Sequence, residues 1–202
     1  MKLYYSPGAC SLSPHIVLRE AGLTFEPVLA STKSHKLQDG TDYYTINSKG
    51  QVPLLELDGG ERLTEGPAIV QYIADQVPEK KLAPAYGAME RYRMQEWLNF
   101  ITSELHKTMG NLFNPAMPED AKPVFRQRTA DKFKWVDAQL EGKQYLMGDR
   151  FSVADAYLFT MANWTKPIGV DISEMKNLSA FQARMAARPA VQEAMKAEGL
   201  LK

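Results

Sequence analysis

One cysteine, three histidines and a formal net charge of +0 are what this 202-residue chain has least of, and each shortage closes a class of function. Cys10 has no second cysteine to pair with, so the disulfide framework of a small secreted domain is excluded. With 24 Lys and Arg against 24 Asp and Glu, no basic field exists to collect phosphates, which argues against nucleic acid as a partner. No stretch approaches the roughly 18 apolar residues that span a bilayer. The first ten residues, MKLYYSPGAC, reach Pro-Gly before an apolar signal core can form, so a cytoplasmic protein with no membrane partner is expected. His15, His35, His106 and Cys10 show none of the short paired spacings of a zinc site, and no metal is expected. A P-loop and a dinucleotide fingerprint are missing as well.

What is present is an ordinary globular composition, 45% hydrophobic and 24% charged, long enough for one large or two small domains. The first eighty residues alternate strand and helix signals. KLYY reads as a strand ending at Ser6-Pro7-Gly8, SLSPHIVLREAG as a helix with Pro14 in its first turn, and TFEPVLA as a strand that Pro27 confines to an edge. VPLLELDGGERLT predicts a hairpin with a tight Asp58-Gly59 turn, and EGPAIVQYIADQVP a helix with Pro67 in its first turn. Past the Pro- and Lys-containing stretch PEKKLAPAYG nearly everything reads helical. FSVADAYLFTMANW carries a capping box, Ser152 with Asp155, and two short helices are expected near 178–187 and 189–197. The expected organisation is residues 1–80, a linker at 81–87, and an all-helical domain over 88–202.

Four local features carry chemistry. Cys10 follows a Pro-Gly turn and precedes a helix, in the pattern Cys10-Ser11-Leu12-Ser13. A lone cysteine is commonly a small core hydrophobe. A helix start instead favours a thiolate, and serine in place of a resolving cysteine would stop the chemistry at a mixed disulfide. Val52-Pro53 stands at a strand start, either as plain strand punctuation or as a cis bond that frees the Val52 backbone for an extended ligand. Glu65-Gly66 opens a helix, as a dipole partner or as a seat for a ligand bearing both a carboxylate and an ammonium. Asn99, Ser103 and His106 fall at i, i+4 and i+7, which puts them on one stripe of the long helix, solvated or turned to a thiol.

A βαβ unit joined to ββα, with a thiol at the first helix start and Val-Pro before the third strand, resembles the thioredoxin fold. With an all-helical domain containing FSVADAYLF behind it, the chain resembles a glutathione transferase over essentially its whole length. PGACSLSPHIVLREAG, GQVPLLELDGG, LTEGPAIVQYIAD, EWLNFI with SELHK, and RPAVQEAMKAEGL, in that order, are similar to the bacterial beta class.

The resemblance implies an α/β thioredoxin-like N-terminal domain, residues 1–80, that binds glutathione, and an all-α C-terminal domain that forms the electrophile site. It implies that Cys10 contacts the glutathione sulfur, with Tyr5 and Ser11 as secondary hydroxyl candidates and His106 as a catalytic candidate. Val52 and Pro53 would pair with the cysteinyl part, and Glu65 and Gly66 would hold the γ-glutamyl end. Asn99, Ser103, Glu104, Leu105 and His106 would supply contacts from the helical domain. His35 stands where the family commonly has lysine, so His35, Lys36 or Lys33 would grip the glycyl carboxylate. The implied activity is conjugation of glutathione to small hydrophobic electrophiles by a homodimer, with Cys10-mediated disulfide exchange or dehalogenation as a second mode. A non-catalytic binding protein of the same fold is the alternative.

Overall fold

The computed structural model describes residues 1–201. The chain resolves into two compact units: Met1–Ala83 together with the chain from Arg188 onward, and Pro84–Ala187.

The first unit is built on a four-stranded sheet of order β2-β1-β3-β4: β1 (Lys2–Tyr5), β2 (Glu26–Leu29), β3 (Leu54–Glu56) and β4 (Arg62–Thr64). β1 pairs parallel with β2 and antiparallel with β3, so β2 is an edge strand and Pro27 costs no ladder bond, as its sequence predicts. Helices α1 (Leu12–Ala21) and α2 (Gly66–Gln76) pack against each other. Alternation along β1 places Leu3 and Tyr4 on opposite faces, and both are buried. Tyr4 joins Ala30, Tyr43, Val52 and Leu54 in a small core that clamps the 30–52 segment to the sheet.

The hairpin differs in detail from its expectation. Its strands are three residues long, and the connection is a five-residue loop closed by Leu57 N–H donating to the Glu61 carbonyl at 2.8 Å. Only Gly60, at φ +87°, takes the left-handed region, so the turn is set by the second glycine and not by Asp58-Gly59.

The second unit holds α3 (Met89–Phe100), a π-helical turn (Ile101–His106), α4 (Lys107–Leu112), α5 (Lys122–Gln139), α6 (Val153–Asn163) and α7 (Lys176–Ala186). α6 is buried from Val153 to Ala162 and is its central post. Ser152 and Asp155 close the expected capping box at its start.

Two corrections arise here. The long helix is not continuous α: the Thr102 and Ser103 hydroxyls donate to the Leu98 and Asn99 carbonyls, and Lys107 N–H reaches back five residues to Thr102. This is the widened pattern of a π turn. The last helix, α8 (Pro189–Ala197), packs on α1 and belongs to the first unit, so the helical domain expected over 88–202 loses its C-terminal helix.

Candidate active site

Residues 6–13 wind through consecutive turns into α1. Ala9 N–H donates to the Ser6 carbonyl, Leu12 N–H to that of Ala9, and Ser13 N–H to that of Cys10. Ser11 ties the winding from inside: its hydroxyl donates to the Ser6 carbonyl at 3.2 Å and accepts the Ser6 N–H at 3.1 Å. Ser11 is fully buried, and its hydroxyl both donates and accepts within the winding, so it serves the turn. Gly8 takes φ +69°, and a Cβ there would lie 3.5 Å from the Leu200 side chain.

Cys10 keeps partial contact with solvent. Its sulfur lies 3.3 Å from the Val52 carbonyl, to which the thiol donates. Burial pushes the thiol up to about 12. The N–H groups of Cys10 and Ser11, aimed at the sulfur, pull the other way, and the charges of Glu65 and Glu198 add to the upward push. A carbonyl acceptor also favours the protonated form. The thiolate that the helix start suggested is therefore not the resting state. Burial outweighs the amide donors, and Cys10 rests as a hydrogen-bond donor.

The Val52–Pro53 peptide is cis, the less common of the two sequence readings. The three carbonyls that lead into it are each held from a different element. Gly50 O accepts from His35 Nδ1 at 3.0 Å, Gln51 O from the Tyr43 hydroxyl at 3.0 Å and Asn47 Nδ2 at 2.7 Å, and Val52 O from Cys10. Among the described residues the Val52 N–H has no backbone acceptor, which leaves it for an extended partner. A carbonyl can only accept, so His35 carries its proton on Nδ1 and turns Nε2 away. Its ring lies 4.8 Å from that of Tyr44, and its backbone sits at φ +52°, a region side chains seldom occupy. Lys36 is exposed.

Glu65, the N-cap of α2, also takes a positive φ, +69°, and its exposed carboxylate is met by Lys49 Nζ at 2.6 Å. Lys49 was not singled out from the sequence, and only its place just ahead of Gly50-Gln51-Val52 hints at it. Gly66 begins α2. Tyr5 is half-buried and edge-on to His15, with ring centroids 5.7 Å apart, and burial raises the pKa of its hydroxyl.

In the second unit the π turn breaks the expected stripe. Asn99 and Ser103 are exposed, whereas His106 turns inward, its Nδ1 2.6 Å from the Tyr157 hydroxyl and its ring 5.0 Å from that of Trp164. Phe113 continues this aromatic row, 5.1 Å from Trp164. Glu104 is ion-paired to Lys132, and Leu105 is fully buried, so its side chain is core. Tyr157 was missed because nothing in FSVADAYLF distinguishes it from the apolar residues around it. Among the described residues no group of His, Cys, Asp or Glu is arranged to hold a metal ion.

Comparison with known proteins places these residues in a family context. Residues 1–75 match the family model "Glutathione S-transferase, N-terminal domain", and residues 100–189 match "Glutathione S-transferase, C-terminal domain". The chain is 46% identical over 200 residues to glutathione S-transferase GstA of Escherichia coli O157:H7, covering 99% of this chain and 100% of the relative. A sphingomonad glutathione S-transferase solved in complex with glutathione is 46% identical, with a TM-score of 0.96 over 100% of both chains. The bacterial beta-class glutathione S-transferase of Sphingomonas chungbukensis is 47% identical, with a TM-score of 0.96 and again 100% of both chains covered.

Proposed function

The chain belongs to the glutathione S-transferase family, in its bacterial beta class, and from that premise we propose that it is a glutathione transferase whose first unit holds glutathione with its sulfur against Cys10. The observation that carries this reading is the placement of that thiol, set by the turn before α1 and hydrogen-bonded to the Val52 carbonyl, with burial favouring its protonated form. When glutathione binds, the single S–H of Cys10 can turn from the Val52 carbonyl to the sulfur of a glutathione thiolate and so favours its ionised form. A resident cysteine thiolate would repel it. Conjugation is thus the main mode: the glutathione thiolate attacks an electrophile, its S–C bond forms, and the leaving group departs with the electron pair. The Val52 N–H and cis-Pro53 receive the cysteinyl backbone, and Glu65 meets the γ-glutamyl ammonium. The row of Phe113 and Trp164 offers an apolar wall suited to an apolar electrophile.

Disulfide exchange is the slower second mode. There Cys10 must first lose its proton. Its thiolate then attacks one sulfur of oxidised glutathione, a mixed disulfide forms, and one glutathione thiolate leaves. Intact mass after incubation with oxidised glutathione at neutral and at alkaline pH tests the assignment. A reversible single adduct on Cys10 should accumulate slowly at neutral pH and faster as pH rises. Complete adduct formation within the mixing time at neutral pH would show that Cys10 rests as a nucleophile, against this reading. Replacing Cys10→Ala should retain part of the conjugating activity while abolishing the adduct, and total loss of conjugation would refute a donor role.

A further inference from the structure

Behind the Cys10 turn lies a chain of polar groups that the reaction above does not use. Glu198 follows α8 as its C-cap residue, yet its side chain is 0% exposed. Its Oε2 accepts the Gly8 N–H at 2.9 Å, and its Oε1 lies 2.8 Å from His15 Nδ1. His15, equally buried, has Nε2 within 3.2 Å of Arg19 Nε. A guanidinium only donates, so Nε2 carries the lone pair, Nδ1 carries the proton, and His15 is the neutral link between a carboxylate and a guanidinium. Arg19 also reaches Glu193 at 3.3 Å, at the solvent side.

This is a poor place for an anion. Burial disfavours it, and the C-terminal end of a helix disfavours it further, since the partial charge there is negative. A salt bridge built for stability alone would sit elsewhere. What the carboxylate gains at this position is the amide of Gly8, two residues before the thiol.

We infer that Glu198 is a positioning residue for Cys10: neutralised by Arg19 through His15, it grips the Gly8 amide and so fixes the turn that aims the Cys10 and Ser11 N–H groups at the sulfur. The inference rests on the reading of Cys10 as the site thiol. Two opposed effects reach the sulfur from this one carboxylate. Its charge, like that of Glu65, works against the thiolate, while the turn geometry it holds works for the thiolate through the two amides. Tyr5, edge-on to His15, feels the same carboxylate. Glycine suits position 8 in this arrangement because of its φ of +69°, which side chains seldom adopt.

The two effects separate in two variants. Glu198→Gln removes the charge and keeps an oxygen for the Gly8 N–H, whereas Glu198→Ala removes both. The readout is the rate of Cys10 alkylation by iodoacetamide across pH, followed by intact mass, with far-UV circular dichroism on every variant. Glu198→Gln should move the profile to lower pH and Glu198→Ala to higher pH. Each shift is on the order of one pH unit, or about tenfold in rate near neutral pH. Arg19→Gln should slow alkylation several-fold, because it leaves the buried anion without its counter-charge.

A purely structural role predicts that both Glu198 variants shift the same way or not at all, and either result overturns the inference. An unchanged rate in Arg19→Gln overturns the relay. Should Glu198→Ala not fold, the opposite shifts expected of Glu198→Gln and Arg19→Gln still decide the matter. Iodoacetamide requires no bound glutathione, so a failure of glutathione to bind leaves this test standing, and the converse also holds.

Discussion

Asp155 and Glu198 are two carboxylates withdrawn from solvent, one in each compact unit, and they meet opposite ends of helices. Asp155 sits in the first turn of α6, where the helix dipole favours a negative charge. It accepts from the Leu146 N–H at 2.8 Å, the Ser152 N–H at 2.7 Å and the Ser152 hydroxyl at 2.8 Å, donors that are all local or nearly so. Glu198 sits where the dipole opposes it and draws its donors from residues 183 and 190 positions away. The first arrangement lowers the energy of the helix it caps. The second costs stability in its own helix and delivers geometry to a reactive turn. Burial of a charge therefore says little until the helix end and the donors are known.

Removing the favoured carboxylate should have the larger effect on stability. Asp155→Ala strands three donors in the packed start of α6 and should lower the unfolding free energy by about 4 kcal/mol, the scale of deleting a buried charged partner, as read from urea unfolding. A loss below about 1 kcal/mol would erase the contrast. Glu198→Gln should be milder, at about 1–2 kcal/mol, since the lost charge-assisted bonds are offset by relief from the dipole and from desolvation. If it destabilised the protein as much as Asp155→Ala, Glu198 would be an ordinary structural anchor.

Alkali tests the first unit from another side, because Cys10 and Tyr43, both pushed up to about 12 by burial, lie there. Between the unfolded thiol value of 9.0 and about 12, the unfolded chain releases a proton that the native chain keeps. Stability from this source is complete below pH 9 and declines as pH rises, by at most about 1.4 kcal/mol per pH unit for one group. Cys10→Ser should flatten that slope in urea midpoints measured from neutral pH upward. An equal slope in wild type and variant would place the thiol's acidity near its ordinary value.

Features spanning a few residues were legible from residue order. The turn Ser6–Pro7–Gly8 before α1, Pro67 in the first turn of α2, and the Ser152–Asp155 box are encoded within one or two helical turns, and the structure has each of them. Hairpin geometry was less legible, since Asp58, Gly59 and Gly60 permit several loops and strand pairing selects one. The π turn left no mark in the apolar pattern. Leu98, Ile101 and Leu105 suit a continuous helix, yet one widened turn sends His106 inward to Tyr157 while Ser103 stays exposed. Leu105 fills the core, as its place in that apolar pattern implies.

Residue order by itself determined that a lone thiol lies between a Pro-Gly turn and a helix start, with a strand-opening Val-Pro elsewhere in the same α/β unit. Those are consequences of short-range sterics and hydrogen bonding. Only the tertiary structure decided the state of that thiol. Its protonation depends on desolvation and on the Val52 carbonyl 42 residues away, and the turn beneath it is gripped by Glu198, 190 residues beyond Gly8. Electrostatic energy depends on distance in space and on the surrounding medium, and neither is a function of position along the chain.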